Sequence, residues 1–368
     1  MTLGRIIAFA MLTLSTASFT QAQDDDRGAV YTMTNSVEND ILVFQRSADG
    51  TLSRVGTVRT GGAGTGDNFG SNGALALTED GRWLFAVNAG SNSISLFERR
   101  GNSLRLADTV ASGGVTPVSI AVSGSRVYVL NDGAPANVTG FFFDDDRGSL
   151  HPIENSTRPL SAASPGAPEI GFDRTGSLLV VTEKATNLID VFQIGDDGTP
   201  TSPNFQNSIG KTPFGFAFDL RNNLLVTEAF GGAPNASATS SYEVDGGGNL
   251  ETISGSVATH QSAACWIVIT RNGRFAYASD TGNGIITGYR IGQHGLLSLL
   301  DASGNSASTG GANSKPVDLA LTRDSRFLYG INVGTGTLLG WRVQADGQLV
   351  FIQTTEAIPV SATGLVAQ

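Results

Sequence analysis

The feature that most constrains the fold is a motif repeated seven times. An apolar or hydroxyl-bearing tetrapeptide ending in an aromatic residue recurs as 41–44 (ILVF), 94–97 (ISLF), 138–141 (VTGF), 189–192 (IDVF), 239–242 (TSSY), 286–289 (ITGY) and 338–341 (LLGW). Successive aromatic residues are 53, 44, 51, 50, 47 and 52 positions apart. A period near 50 with strict alternation inside it leaves room for about four short strands per unit. Each aromatic is followed by a turn of hairpin type, such as Asp49-Gly50, Asp197-Gly198, Gly247-Gly248 and Asp346-Gly347. A second turn, such as Asp80-Gly81, Thr175-Gly176 or Asn272-Gly273, precedes a strand rich in β-branched and aromatic residues. The 47 glycines among 368 residues, about twice the usual 7%, are largely taken up by this punctuation.

Six inner strands are readable, from Gly73–Leu77 through Val118–Val122, Pro168–Phe172, Phe214–Phe218 and Cys265–Ile269 to Val317–Leu321. The first unit has none before Ala29-Val30-Tyr31, which reads as a second strand. The tail Val360–Ala367 is the unassigned β-like segment, and placing it in unit one closes a ring. The expected fold is all-β: a seven-bladed propeller with four-stranded blades, closed by the C-terminal strand joining blade one. An open array of β-sandwiches is the alternative. Residues 23–368 form one domain, expected to be monomeric.

Residues 1–22 read as a secretory signal. Arg5 precedes the apolar run Ile6–Leu14, and small residues surround Ala22. The apolar run is too short to span a bilayer. Export, to a periplasm or to the exterior, is the expectation. Cys265 is the sole cysteine, so no intrachain disulfide can form. The formal net charge of -10, with three lysines, argues against a nucleic-acid partner.

The stretches Thr270–Tyr277 (TRNGRFAY), Thr322–Tyr329 (TRDSRFLY) and Thr78–Phe85 (TEDGRWLF), together with the Asp-Gly-x-Leu turns, resemble the β-propeller lactonase family. That family includes 6-phosphogluconolactonases and carboxymuconate cyclases. The resemblance covers about residues 30–368. It implies hydrolysis or isomerisation of a small lactone or related cyclic carboxylic compound. It also implies histidines and arginines at the channel mouth, and here the sequence departs. Ala167-Pro168-Glu169 and Pro213-Phe214-Gly215 stand where the family carries such residues, and Asp280-Thr281 replaces its Asn-Arg. Glu228 matches the family glutamate. A phosphosugar substrate therefore fits poorly, because phosphate recognition usually needs Arg or Lys.

The residues ending the second strands align as Asn35, Asn88, Asn131, Glu183, Glu228, Asp280 and Asn332. At the start of the inner strands, Ser119, Glu169, Trp266 and Asp318 share one position. The expectation is an acidic channel mouth, with Glu228, Glu169, Glu183 and His260 as acid/base candidates. Asn88, Asn131, Asp280, Trp266, Asp318 and Asn332 would bind the ligand. The same carboxylates could hold Ca²⁺ or Mg²⁺. Alternatively, amides and acids at strand ends cap backbone groups. His151 and His294 read as surface residues, and Cys265 as a buried small residue. The glycine-rich segment Gly61–Gly73 reads as a flexible rim, and Asp144-Asp145-Asp146 as a solvated turn with weak cation binding as the alternative. The competing function is a non-catalytic periplasmic or surface binding propeller for a metal, a cationic ligand or a protein partner.

Overall fold

A computed structural model describes Met1, residues 28–355 and residues 357–368. The signal segment 1–22 lies outside the described residues, apart from Met1. Seven antiparallel sheets follow one another around an axis. Blade one holds Gly28–Met33, Asp40–Arg46 and Leu52–Arg59 as its second, third and outer strands, with Thr363–Ala367 innermost. Tyr31 pairs with Val366 across that closing seam. The seam lies where the sequence places it.

The inner strands of blades two to seven are Leu75–Leu77, Val115–Ser123, Glu169–Phe172, Pro213–Phe218, Ala264–Ile269 and Pro316–Leu321. Their second strands are Trp83–Asn88, Arg126–Gly133, Leu178–Glu183, Leu224–Glu228, Phe275–Asp280 and Phe327–Asn332. In blade one the second strand stops at Met33, so Asn35 sits just beyond it, in a left-handed conformation (φ 48°) that Asn tolerates. Blades three and six carry an extra two-residue strand, Arg158–Pro159 and Ala307–Ser308, on their third strands.

The seven repeat aromatics, Phe44, Phe97, Phe141, Phe192, Tyr242, Tyr289 and Trp341, are all buried. Strand alternation turns them out of their own sheet and into the gap between blades. Burying each such ring contributes roughly 1.5–3 kcal/mol. Polar staples fix the spacing. The hydroxyl of Tyr277 in blade six donates to the Gly347 carbonyl of blade seven (2.7 Å), and Tyr329 of blade seven donates to Gly50 of blade one (2.7 Å). Gly347 must be glycine: its φ is 92°, and a Cβ there would lie 2.7 Å from the Phe275 ring. Among the described residues no helix is long and apolar enough to cross a membrane.

Candidate functional site

The polar residues that end the second strands do not face the channel. Asn88, Asn131, Glu183, Glu228, Asp280 and Asn332 are each wholly buried within their blades. Each reaches toward its third strand and the loop that leads into its blade. Glu228 accepts the Gly210 N–H (2.9 Å) and the hydroxyls of Ser240 and Ser256 (the latter at 2.6 Å). Asp280 accepts Thr287 (2.7 Å) and Ser237 (3.1 Å). Asn332 accepts the Lys315 N–H (2.9 Å) and donates to Ser314 (2.8 Å). The Asn88 amide donates to Ser95 (2.8 Å), and that of Asn131 to the Ser112 carbonyl (3.3 Å). Asn35 likewise ties down the following loop, donating to Thr65 (2.9 Å). These bonds are the capping alternative, because buried backbone groups at a loop need partners. Burial raises the Glu228 carboxyl, and pushes Asp280 up to about 7, against the hydrogen bonds that favour the charged form.

Blade four breaks the pattern. Where other blades carry Ser95, Thr139, Ser240 or Thr287, its third strand carries Asp190. Glu183 already accepts the Ser161 N–H (2.9 Å) and the hydroxyls of Ser161 and Thr186. Asp190 finds no hydroxyl, amide or cation, and the group it faces is the Glu183 carboxyl. Two carboxyls can meet in a buried site only when one is protonated. Burial, and then Glu183, push Asp190 up to about 9. The signal was present in the repeat: Asp190 is the one acid at a position otherwise held by hydroxyl or apolar residues.

The segment 60–73 is not a rim. It crosses the mouth of the channel on the side where the inner strands begin, and four blades hold it there. Asn72 N–H donates to Pro168 (2.8 Å), Ser71 Oγ to Val118 (2.8 Å) and Trp266 Nε1 to Ser71 (2.9 Å). Lys184 Nζ donates to Gly70 (3.2 Å), and Asn68 Nδ2 to Ala362 (3.2 Å). Trp266 thus belongs to the floor beneath this cover. It packs on Phe214 (5.0 Å between centroids), whose other neighbour is the Lys184 ammonium, 4.8 Å from the ring centroid. Burial lowers the Lys184 amine, against the pull of Asp132.

Cys265 is buried, and its thiol is pushed up to about 12, so it remains protonated. His260 is exposed, as are His151 and His294. Asp318 is buried, accepting the Gly364 N–H of the closing strand (3.0 Å). Glu169, Glu183 and Glu228 each have separate partners, and no three His, Cys, Asp or Glu side chains among the described residues form a group able to hold a metal.

With that mouth covered, the channel opens on the opposite face. A cavity of about 1120 Å³ runs from Gly73, Ile120 and Glu169 to the turns at the far ends of the inner strands. Its walls mix apolar groups (Ile120, Ile170, Phe172) with carboxylates and two arginines, Arg174 and Arg323. Glu169 sits at its inner end. One oxygen accepts the Phe216 N–H (2.6 Å), and the Asn72 amide of the covering segment also bonds the carboxylate. Burial outweighs both bonds and pushes Glu169 up to about 8.

Residues 22–165 match the family model described as Lactonase, 7-bladed beta-propeller. No curated protein sequence matches the chain. Among solved structures, the Pseudomonas aeruginosa periplasmic gluconolactonase is similar in fold. It has a TM-score of 0.73 and 16% identity, over 93% of this chain and 99% of that one. A proposed 6-phosphogluconolactonase from Bacteroides fragilis gives a TM-score of 0.69 at 15% identity, over 94% of this chain and 99% of that one. The hydrazine synthase of Kuenenia stuttgartiensis, at a TM-score of 0.58 and 15% identity over 80% of this chain and 87% of that one, shows that such a propeller also serves other chemistry. The family model and these folds support the lactonase-type propeller that the repeat motifs resemble.

Proposed function

We propose that this lactonase-like propeller hydrolyses a small cyclic ester in the cavity lined chiefly by blades two to four, with Glu169 as the base acting on water. One observation carries the reading. Of the four acid/base candidates, Glu169 alone lines the cavity, while Glu183 and Glu228 are spent inside their blades and His260 is exposed.

The chemistry needs one proton acceptor. Water adds to the ester carbonyl carbon as the Glu169 carboxylate takes its proton. The tetrahedral intermediate then collapses, the ring C–O bond breaks, and the proton returns to the departing oxygen. The Phe216 N–H holds one carboxylate oxygen in place. A group pushed up to about 8 is protonated at lower pH, so the rate should rise with pH and level off above about 8. The secretory reading of residues 1–22 would place this activity outside the cytoplasm.

The test is proton release from a panel of sugar and aliphatic lactones, measured from pH 6 to pH 9.5 after subtraction of spontaneous opening. Glu169→Gln should lose roughly 10²–10⁴-fold in rate. Full activity in Glu169→Gln would remove the base, and no turnover of any lactone would leave the binding propeller as the better reading.

A further inference from the structure

Each turn at the open end of the channel joins an inner strand to a second strand, and four of them share a pattern. A Thr or Asp caps the turn, and the next residue is Glu79, Arg174, Arg271 or Arg323. A later arginine in three of these turns is packed away. Arg82 lies over Trp83 (5.4 Å), Arg274 over Phe275 (5.1 Å) and Arg326 over Phe327 (5.4 Å). The first arginine is not. Arg174 and Arg323 are exposed, and among the described residues neither guanidinium has a hydrogen bond, ion pair or ring contact. Both line the one 1120 Å³ cavity, from blades four and seven, on different sides of the axis.

Their neighbours do not neutralise them. Asp173, beside Arg174, is taken up by Ser177 and Leu178 N–H groups (both 2.9 Å), Thr175 (2.6 Å) and Asn222 (2.9 Å). Asp324, beside Arg323, accepts Thr322 (2.6 Å) and the Arg326 N–H (3.0 Å). The Arg174 backbone is itself fixed by Asn222 Oδ1 (2.8 Å), so the turn is rigid and the side chain alone is unassigned. The wall from blades two and three is acidic, and part of it is already paired: Asp144 with Arg147 (2.8 Å) and Asp145 with Arg82 (3.5 Å). The cavity therefore sets two unpaired guanidinium groups beside an acidic wall.

We infer that Arg174 and Arg323 form an anion clamp at the open end of the cavity. It receives the carboxylate of a small polyhydroxylated acid whose hydroxyls face the carboxylates of blades two and three. Guanidinium groups suit this task because their planar donors match a carboxylate, and hydroxyls are natural donors to the acidic wall. Such an acid is what the opening of a hydroxylated lactone releases, so the clamp rests on the function proposed above and assigns the product end of that site. It also supplies arginines at the open end, where the opposite mouth lacks those of the family.

The experiment is calorimetric titration with sodium gluconate, using sorbitol as the uncharged arm and inorganic phosphate as the anion without hydroxyls. All proteins carry Glu169→Gln, so binding is read independently of turnover. Gluconate should bind saturably and more tightly than either comparison ligand. Arg174→Gln with Arg323→Gln should weaken it by about tenfold or more. Arg271→Gln, at the same turn position but outside the cavity wall, should leave it unchanged. Unchanged affinity in the double variant overturns the clamp. So does equal weakening by Arg271→Gln, which would mean only long-range charge, and so does absence of gluconate binding. Melting curves of each variant establish that these surface changes leave the fold intact. No lactone turnover by the protein with Glu169 intact, together with clamp-dependent gluconate binding, would refute the hydrolase and keep the clamp.

Discussion

Replacing Asp190 with serine should make the protein more stable at neutral pH, although it deletes a buried side chain. The carboxyl is pushed from an ordinary value of 3.8 up to about 9, chiefly by burial and then by Glu183. Holding it protonated at pH 7 spans about three pH units, at about 1.4 kcal/mol each, or about 4 kcal/mol in all. Serine would restore the hydroxyl-to-acid bond that Ser240 makes to Glu228 in blade five. The lost volume takes back about 1 kcal/mol or more, so the net gain at pH 7 should be about 1–3 kcal/mol. The pH dependence is more telling than the offset. With the folded value raised, the folded state binds more protons than the unfolded state between about pH 4 and pH 9. Asp190 therefore costs nothing below pH 4, and stability falls as pH rises toward 9. The gain in Asp190→Ser should vanish near pH 4 and widen steadily above it. Thermal unfolding of both proteins, followed by circular dichroism at pH 4, 5.5, 7 and 8.5, measures this directly. A difference in melting temperature that stays constant across the series would refute a protonated Asp190.

Two further changes probe the frame. Tyr329→Phe removes the bond to the Gly50 carbonyl at the closing seam and should lower stability by about 1–2 kcal/mol in urea unfolding, since it leaves a buried carbonyl short of a partner. Trp266→Phe keeps a ring against Phe214 but removes the donor to Ser71. Amide exchange at residues 68–73 should then speed up severalfold while exchange in the blade strands is unchanged; equal protection would show that the remaining anchors suffice.

The architecture was readable because its signals are local and repeated. Period-two alternation, glycine turns and an aromatic every 50 residues identify strands without reference to their neighbours, and the lone unassigned tail could go only to blade one. The orientation of the site was not local. Glu228 and Asp280 align with the strand ends as expected, yet their direction is set by Ser240, Ser256, Thr287 and Ser237, hydroxyls contributed by other strands and loops. Asn35, Asn88, Asn131 and Asn332 follow the same logic. That segment 60–73 would lie across the mouth depends on four separate blades supplying acceptors and donors, which no single stretch reveals. Asp190 was visible in the alignment of third strands, but its meaning required knowing that it faces Glu183.

The strand that completes blade one, Thr363–Ala367, is synthesised after every other strand described here. Until it emerges, the second strand of blade one offers an open row of amide and carbonyl groups to any passing segment. Folding cannot be finished from the amino-terminal end forward; the ring locks only when its last piece arrives. Removal of Thr363–Ala367 alone would leave nearly all of the core in place yet expose an adhesive edge on blade one.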